Sequence, residues 1–216
     1  MSRVGKTIIP IPAGVKVEAS NGTIPTTGRN GFLVSVTGPK GVLIQEITAP
    51  IFVEVHEKPA DPNRGAHVHV RRHNDEAKSK SLHGLYNRLI QNMIVGVTRG
   101  YTRTLILNGV GYKANMKGQD LILNLGMSHP CEIKAESGVQ LKVLTPAEVQ
   151  ALNLGKDGIG VVIQVSSASK EKVGATASRI RGLRPVEPYH MYGIRYSDEH
   201  VIRKESKSGK KGGTKK

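Results

Sequence analysis

The pattern of apolar and polar positions divides this chain into two similar runs. Val15-Lys-Val-Glu18 alternates apolar and polar residues, the period of a half-buried strand. Phe32 to Val36, Val42 to Ile47 and Ile51 to Val55 predict further strands. Asn21-Gly22 and Asn30-Gly31 predict turns between them, because both residue types tolerate the positive φ of a tight turn. The period then changes. Leu82, Leu85, Leu89 and Met93, joined by Tyr86, Ile90 and Val97, recur at helical spacing opposite Asn87, Arg88 and Gln91. They predict a helix over about Ala77–Val97.

The sequence repeats itself in outline after that helix. Tyr101–Leu107 and Tyr112–Met116 predict strands flanking the turn Asn108-Gly109, and Leu121, Leu123 and Leu125 share one face of another. Val161-Val-Ile-Gln-Val165 is almost wholly apolar, which suits a strand covered on both faces. Ser169 is placed to cap a helix on which Val173, Ala177 and Ile180 stand at i, i+4 and i+7. Strands followed by a helix thus occur twice, with a spacing too long for a solenoid. The expected fold is α+β, two tandem domains of a small antiparallel sheet packed on a helix. The expected boundaries are 1–98, 99–188 and a basic extension over 189–216.

Charge then narrows the function. The 216 residues carry 32 Lys+Arg against 17 Asp+Glu, a net +15. From Arg179 onward there are 11 Lys/Arg and 4 Asp/Glu, so nearly half of the excess lies in the last 38 residues. Such a chain seeks a polyanion, since each cation set on a phosphate releases a condensed counterion. The competing polyanion is a membrane surface. No run approaches the roughly 18 apolar residues of a span, and no segment reads as a basic amphipathic surface helix. Met1–Lys6 has the charge of a signal-peptide start, but Pro10 and Pro12 interrupt the short apolar run from Ile8 to Val15. One cysteine, Cys131, permits no intrachain disulfide and fits a reducing compartment. From Ser206 only Lys, Ser, Gly and Thr remain, so the tail has nothing to bury.

Catalytic chemistry finds little support. Ser167-Ala-Ser-Lys170 matches S-x-x-K without its usual companions, and reads as a helix cap beside a solvated lysine. Gly109-Val-Gly111 has no third glycine and opens no helix; it reads as a hairpin. His67 and His69 share a strand face near His73. No carboxylate or cysteine completes a metal set, so a polar face beside Arg71 and Arg72 is the simpler reading. Cys131 after His129-Pro130 lacks a third catalytic member. The chain is expected to be no enzyme and to need no cofactor, metal or small-molecule substrate.

Basic groups point instead to RNA. Arg179, Arg181 and Arg184 lead into Pro185; Arg195, Tyr196, Arg203, Lys204, Lys207, Lys210 and Lys211 come after it. Arginine forks match phosphate oxygens, and tyrosine stacks or hydrogen-bonds to RNA. Most of these cations stand in the second half, which is therefore expected to bind. Two other classes remain beside a structural RNA-binding protein. One is an RNA-acting enzyme built on His67, His69 and His73, and the other a general nucleic-acid chaperone working through its tail.

Several short motifs, in order, then carry a resemblance. They are Met1-Ser-Arg-Val-Gly-Lys6, Val36-Thr-Gly-Pro-Lys-Gly-Val-Leu43, Leu82-His-Gly-Leu85 and Asn92-Met-Ile-Val-Gly-Val97 in the first half. In the second half they are Leu107-Asn-Gly-Val-Gly-Tyr-Lys113, Leu125-Gly-Met-Ser-His-Pro130, Arg184-Pro-Val-Glu-Pro-Tyr189 and Gly193-Ile-Arg-Tyr-Ser-Asp-Glu199. Together they resemble the family of large-subunit ribosomal protein six in its bacterial or organellar form. Where that family reads Tyr-Lys-Gly-Lys-Gly, this chain has Tyr189-His-Met-Tyr-Gly193. The segment around Asn21–Asn30 is longer than the family hairpin, and Pro59–Arg72 is also long.

The resemblance implies a non-catalytic constituent of the large ribosomal subunit, cytoplasmic or organellar. It implies binding of large-subunit rRNA near the sarcin–ricin loop, beside the proteins of the stalk base where translational GTPases dock. Residues expected to touch RNA are Lys113, Ser128, His129, Arg181, Arg184, Tyr189, His190, Arg195 and Tyr196, with Arg203, Lys204, Lys207, Lys210 and Lys211.

Overall fold

The computed structural model describes residues 4–23, 30–56, 65–152 and 160–205. The connection inside the first long hairpin, residues 57–64 and the tail with Lys207, Lys210 and Lys211 lie outside these. The fold is α+β. The chain forms two compact units, Met1–Tyr101 with Ala168–Lys170, and Thr102–Ser167 with Glu171–Lys216.

In the first unit, β1 (Ile9–Pro10), β6 (His67–Arg72) and β5 (Ile51–His56) form one antiparallel sheet in the order β1-β6-β5. A second sheet joins β2 (Lys16–Thr23), β3 (Asn30–Gly38) and β4 (Gly41–Thr48). The 22-residue helix α1 (Ala77–Thr98) contacts strands of both sheets. Strand alternation supplies the core: Val34 and Val36 of β3, Val53 of β5, and Val68 and Val70 of β6 are buried together with Ile90, Ile94 and Val97 of α1. The dipeptides Asn21-Gly22 and Asn30-Gly31 are not turns. They lie within the ladder, Asn21 opposite Phe32 and Gly22 opposite Gly31, so the long segment extends a regular hairpin.

The buried face of α1 differs from the expected stripe. Leu85 is 50% exposed, whereas Asn87 is buried, as is His83. The reason is a local set of backbone partners. Asn87 Nδ2 donates to the carbonyls of Gly5 and Thr7, at 3.3 and 2.8 Å. His83 Nε2 donates to the Val70 carbonyl at 2.8 Å, while its Nδ1 accepts from Arg72 at 2.8 Å. Gly5 lies so close to His83 that a Cβ there would stand 2.6 Å from Nδ1. Thus the Val-Gly-Lys motif at the start of the chain docks on α1. These partners offset the cost of burial for His83 and for the Asn87 amide nitrogen, while Asn87 Oδ1 is buried without a partner among the described residues.

The Gly38-Pro-Lys-Gly41 loop serves the other end of that helix. Lys40 N donates to the Val97 carbonyl at 3.0 Å, and its ammonium donates to the Arg99 carbonyl. The last turn of α1 carries no basic residue of its own, so Lys40 sets a positive charge against the negative end of the helix.

The second unit contains the sheet β10-β9-β8, from β8 (Lys113–Lys117), β9 (Asp120–Asn124) and β10 (Cys131–Ile133). Its larger sheet runs β11-β12-β7-β13, from β7 (Tyr101–Asn108), β11 (Val139–Val143), β12 (Val161–Ser167) and β13 (Gly193–Tyr196). Helices α2 (Pro146–Ala151) and α3 (Lys170–Leu183) complete it. Leu105, Ile106 and Leu107 are consecutive and all buried, the signature of a strand covered on both faces. Ile106 and Val162 form a cluster with Leu144 and with Val149 of α2. Val173, Ala177 and Ile180 of α3 are all buried.

One pairing corrects the sequence reading. β7 and β8 do not form a hairpin: β7 pairs within the larger sheet, and β8 pairs with β9. The Gly109–Tyr112 turn closes with a 3.3 Å hydrogen bond, but it sends the chain from one sheet to the other. The S-x-x-K motif is structural, with Ser167 Oγ donating to the Gly138 carbonyl at 2.6 Å and Lys170 lying over the Tyr101 ring.

Candidate nucleic-acid interface

The basic C-terminal stretch is built around β13. Gly193, Ile194 and Arg195 stand opposite Asn108, Leu107 and Ile106 of β7. Ile194 is fully buried, so alternation turns Arg195 to the other face. The chain enters β13 through a tight loop. Glu187 N donates to the Tyr192 carbonyl at 2.8 Å and Met191 N to the Glu187 carbonyl at 2.9 Å. Beyond β13 the chain returns, and Lys204 N donates to the Pro188 carbonyl at 3.0 Å.

These turns enclose a cleft of about 430 Å³ lined by Asn108, His190, Met191, Arg195, His200, Val201 and Arg203. Two arginines and two histidines converge there, with no carboxylate in the lining. Of the acidic residues flanking β13, Glu187 meets the cleft itself, its carboxylate lying 3.2 Å from Nδ1 of the lining residue His190. Asp198 pairs with Arg103 at 2.8 Å, and Glu187 accepts from His190 N at 3.2 Å. Glu199 takes a two-pronged contact from Arg181. That guanidinium holds the Glu199 carboxyl below its usual range, opposed by burial. Among the described residues, Arg195, Arg203 and Lys204 have no carboxylate within 4.0 Å.

The expected RNA residues therefore fall into distinct settings. His190, Arg195 and Arg203 line the cleft, and Lys204 and Tyr189 are exposed beside its walls. Arg181 is tied to Glu199, and the Tyr196 ring lies beneath both Arg181 and Arg103, 5.7 Å from each guanidinium. Arg184 donates to the Leu125 carbonyl at 2.9 Å and lies over the Tyr112 ring. Its position fixes a second set of loops. Tyr112 packs against Gly109, where a Cβ would meet the ring at 2.7 Å. Around it, Lys113, Ser128 and His129 are exposed. Lys207, Lys210 and Lys211 lie outside the described residues.

Sequence reading missed Asn108 and His200, which come to the cleft only through the β7–β13 pairing and the returning segment. Met191 carries a signal of its own. Its φ is 64°, left-handed backbone that glycine adopts freely and methionine does not. This is the position where the resembling family has glycine, a residue that adopts such backbone without strain.

In the first unit, His67 and His69 do share a strand face. The His56 and His67 rings are 5.0 Å apart, and His69 Nδ1 accepts from Arg71 Nε at 3.2 Å. Burial, then Arg71, holds the His69 pKa below its ordinary value. Among the described residues no cluster of three or more His, Cys, Asp or Glu is arranged to hold a metal ion. No described helix is long and apolar enough to cross a membrane.

Comparison with known proteins bears on the whole chain. The family model described as ribosomal protein L6 matches it twice, over residues 11–100 and 108–197. Proteins named large ribosomal subunit protein uL6 from Clostridium perfringens, Staphylococcus epidermidis and Listeria welshimeri are 44%, 42% and 40% identical to it over 210 residues. Each alignment covers 97% of this chain and 100% of the relative. The double match also accounts for the repeated strands-then-helix outline. On both grounds, the chain belongs to the ribosomal protein L6 family.

Proposed function

We propose that this chain is a structural, non-catalytic constituent of the large ribosomal subunit whose second unit binds large-subunit rRNA. Its place would be near the sarcin–ricin loop and the stalk base, supporting the site where translational GTPases dock. The observation that carries the binding surface is the cleft and rim of cations at β13, where Arg195, Arg203 and Lys204 have no carboxylate partner among the described residues. Around it, Lys113, Ser128, His129, Tyr189, His190, Arg195, Arg203 and Lys204 make the direct contacts. Arg181, Arg184 and Tyr196 hold the loops in position as well as adding charge. Tail lysines 207, 210 and 211 contribute charge. The position near the sarcin–ricin loop rests on the family resemblance, and the subunit on the names of the relatives.

Recognition on this reading is mainly by RNA shape, because side chains cannot read the deep groove of an A-form helix. Filter binding of the full chain to a large-subunit rRNA fragment and to random RNA tests it. With about five to seven phosphates neutralised, log K should fall against log salt with a slope of about −4 to −6. The Arg195→Ala, Arg203→Ala double variant should lose most discrimination between the two RNAs. A slope near zero, or unchanged discrimination, would contradict the proposed surface.

A further inference from the structure

The cleft beside β13 holds more than a phosphate requires. Its volume of about 430 Å³ falls in the range of pockets that enclose a small organic ligand, roughly 300–1,000 Å³. A backbone phosphate needs cations and hydrogen-bond donors only. This lining adds two apolar side chains, Met191 and Val201, and the carboxamide of Asn108. Among the described residues the Asn108 side chain has no hydrogen-bond partner, and it is only partly exposed. A carboxamide both donates and accepts, which suits the edge of a nucleobase. Its backbone is fixed by the pairing of Asn108 with Gly193, and the returning segment that carries Arg203 is held by the Lys204–Pro188 hydrogen bond.

We infer that this cleft takes a single unstacked nucleotide of the bound RNA, and does not merely follow the backbone of a helix. Arg195 and Arg203 hold its phosphate, Met191 and Val201 cover the base, and Asn108 meets the base edge. Single-stranded loops and bulges offer such bases, and they are where RNA sequence is read. The inference rests on the RNA-binding reading above and adds a base-dependent contact to it.

The test is a titration of the isotopically labelled full chain with each of the four ribonucleoside monophosphates, with ribose 5-phosphate, and with inorganic phosphate. Amide signals of Gly193, Val201 and the Asn108 side chain report occupancy. At least one nucleotide should bind at least about tenfold more tightly than ribose 5-phosphate, as base contacts of ordinary strength require. Val201→Ser and Asn108→Ser should each erase most of that preference while leaving the weaker phosphate response unchanged. Equal binding of nucleotides and ribose 5-phosphate, no response at the cleft, or a preference intact in both variants would overturn it. Binding to the rRNA fragment is measured on the same samples. Retained rRNA binding without base preference sinks the nucleotide pocket alone, whereas loss of rRNA binding sinks the RNA-binding reading too.

Discussion

Met191 shows how a single position can be read from conformation more clearly than from residue type. Its left-handed φ of 64° is followed by Gly193 at 137°, and a Cβ on Gly193 would meet the Pro185 carbonyl oxygen at 2.6 Å. The loop shape is therefore set by its surroundings. A left-handed non-glycine residue costs about 1–2 kcal/mol, and glycine returns about 0.5–1 kcal/mol of that as lost chain entropy. Met191→Gly should accordingly stabilise the protein by about 0.5–1 kcal/mol, read as a higher midpoint in urea unfolding. A lower midpoint would mean that the methionine side chain contributes packing exceeding its strain. The sequence alone showed that the family glycine was missing here, but not that the methionine in its place adopts left-handed backbone. Asn87 carries a similar lesson. Its type placed it on the polar face, yet carbonyls of Gly5 and Thr7 draw it inside. A buried polar residue is legible only once its partners are known.

At the scale of elements, long periodic segments were the most legible. The helix expected over Ala77–Val97 runs Ala77–Thr98, because a sustained apolar period of 3.6 has few competing explanations. Short elements were missed: β1, β10, α2 and β13 offer too few residues for a period to emerge, whereas β11 does alternate over Val139-Gln-Leu-Lys-Val143 and was overlooked. Pairing was harder still. The Asn108–Tyr112 turn looked like a hairpin because a local signal says that the chain reverses, not which strand it meets. The Gly38-Pro-Lys-Gly41 motif was recognisable as a family feature, but its work at the end of α1 is a long-range contact. Lys40→Ala removes a cation from that helix terminus and should destabilise the first unit by about 0.5–1 kcal/mol. Faster amide hydrogen exchange at Val97 to Gly100, with little change in β13, would report it. Unchanged exchange there would show that the lysine contact is incidental. The cleft itself was half legible: its arginines stood out by charge and His190 through the family resemblance, whereas Asn108 and His200 carry no local mark.

For the whole molecule, the excess charge and the order of motifs were visible from the sequence, and they already pointed to an RNA partner. The structure adds the pairing of carboxylates that leaves Arg195 and Arg203 without one. The two units, antiparallel frameworks with helices packed on them, follow the tandem α+β arrangement that the repeated outline predicts. The proposed role makes this chain a resident part of the large ribosomal subunit, not a transient RNA chaperone. Sedimentation of the endogenous protein through a sucrose gradient after a high-salt wash tests that role most directly. Weak nonspecific contacts should be released, because each phosphate contact steepens the loss of affinity with salt. A resident protein held by shape-complementary RNA and its neighbours should remain with the large subunit in amounts equimolar with other subunit proteins. Recovery of the chain at the top of the gradient, or spread across all RNA-containing fractions, would contradict residence in the subunit.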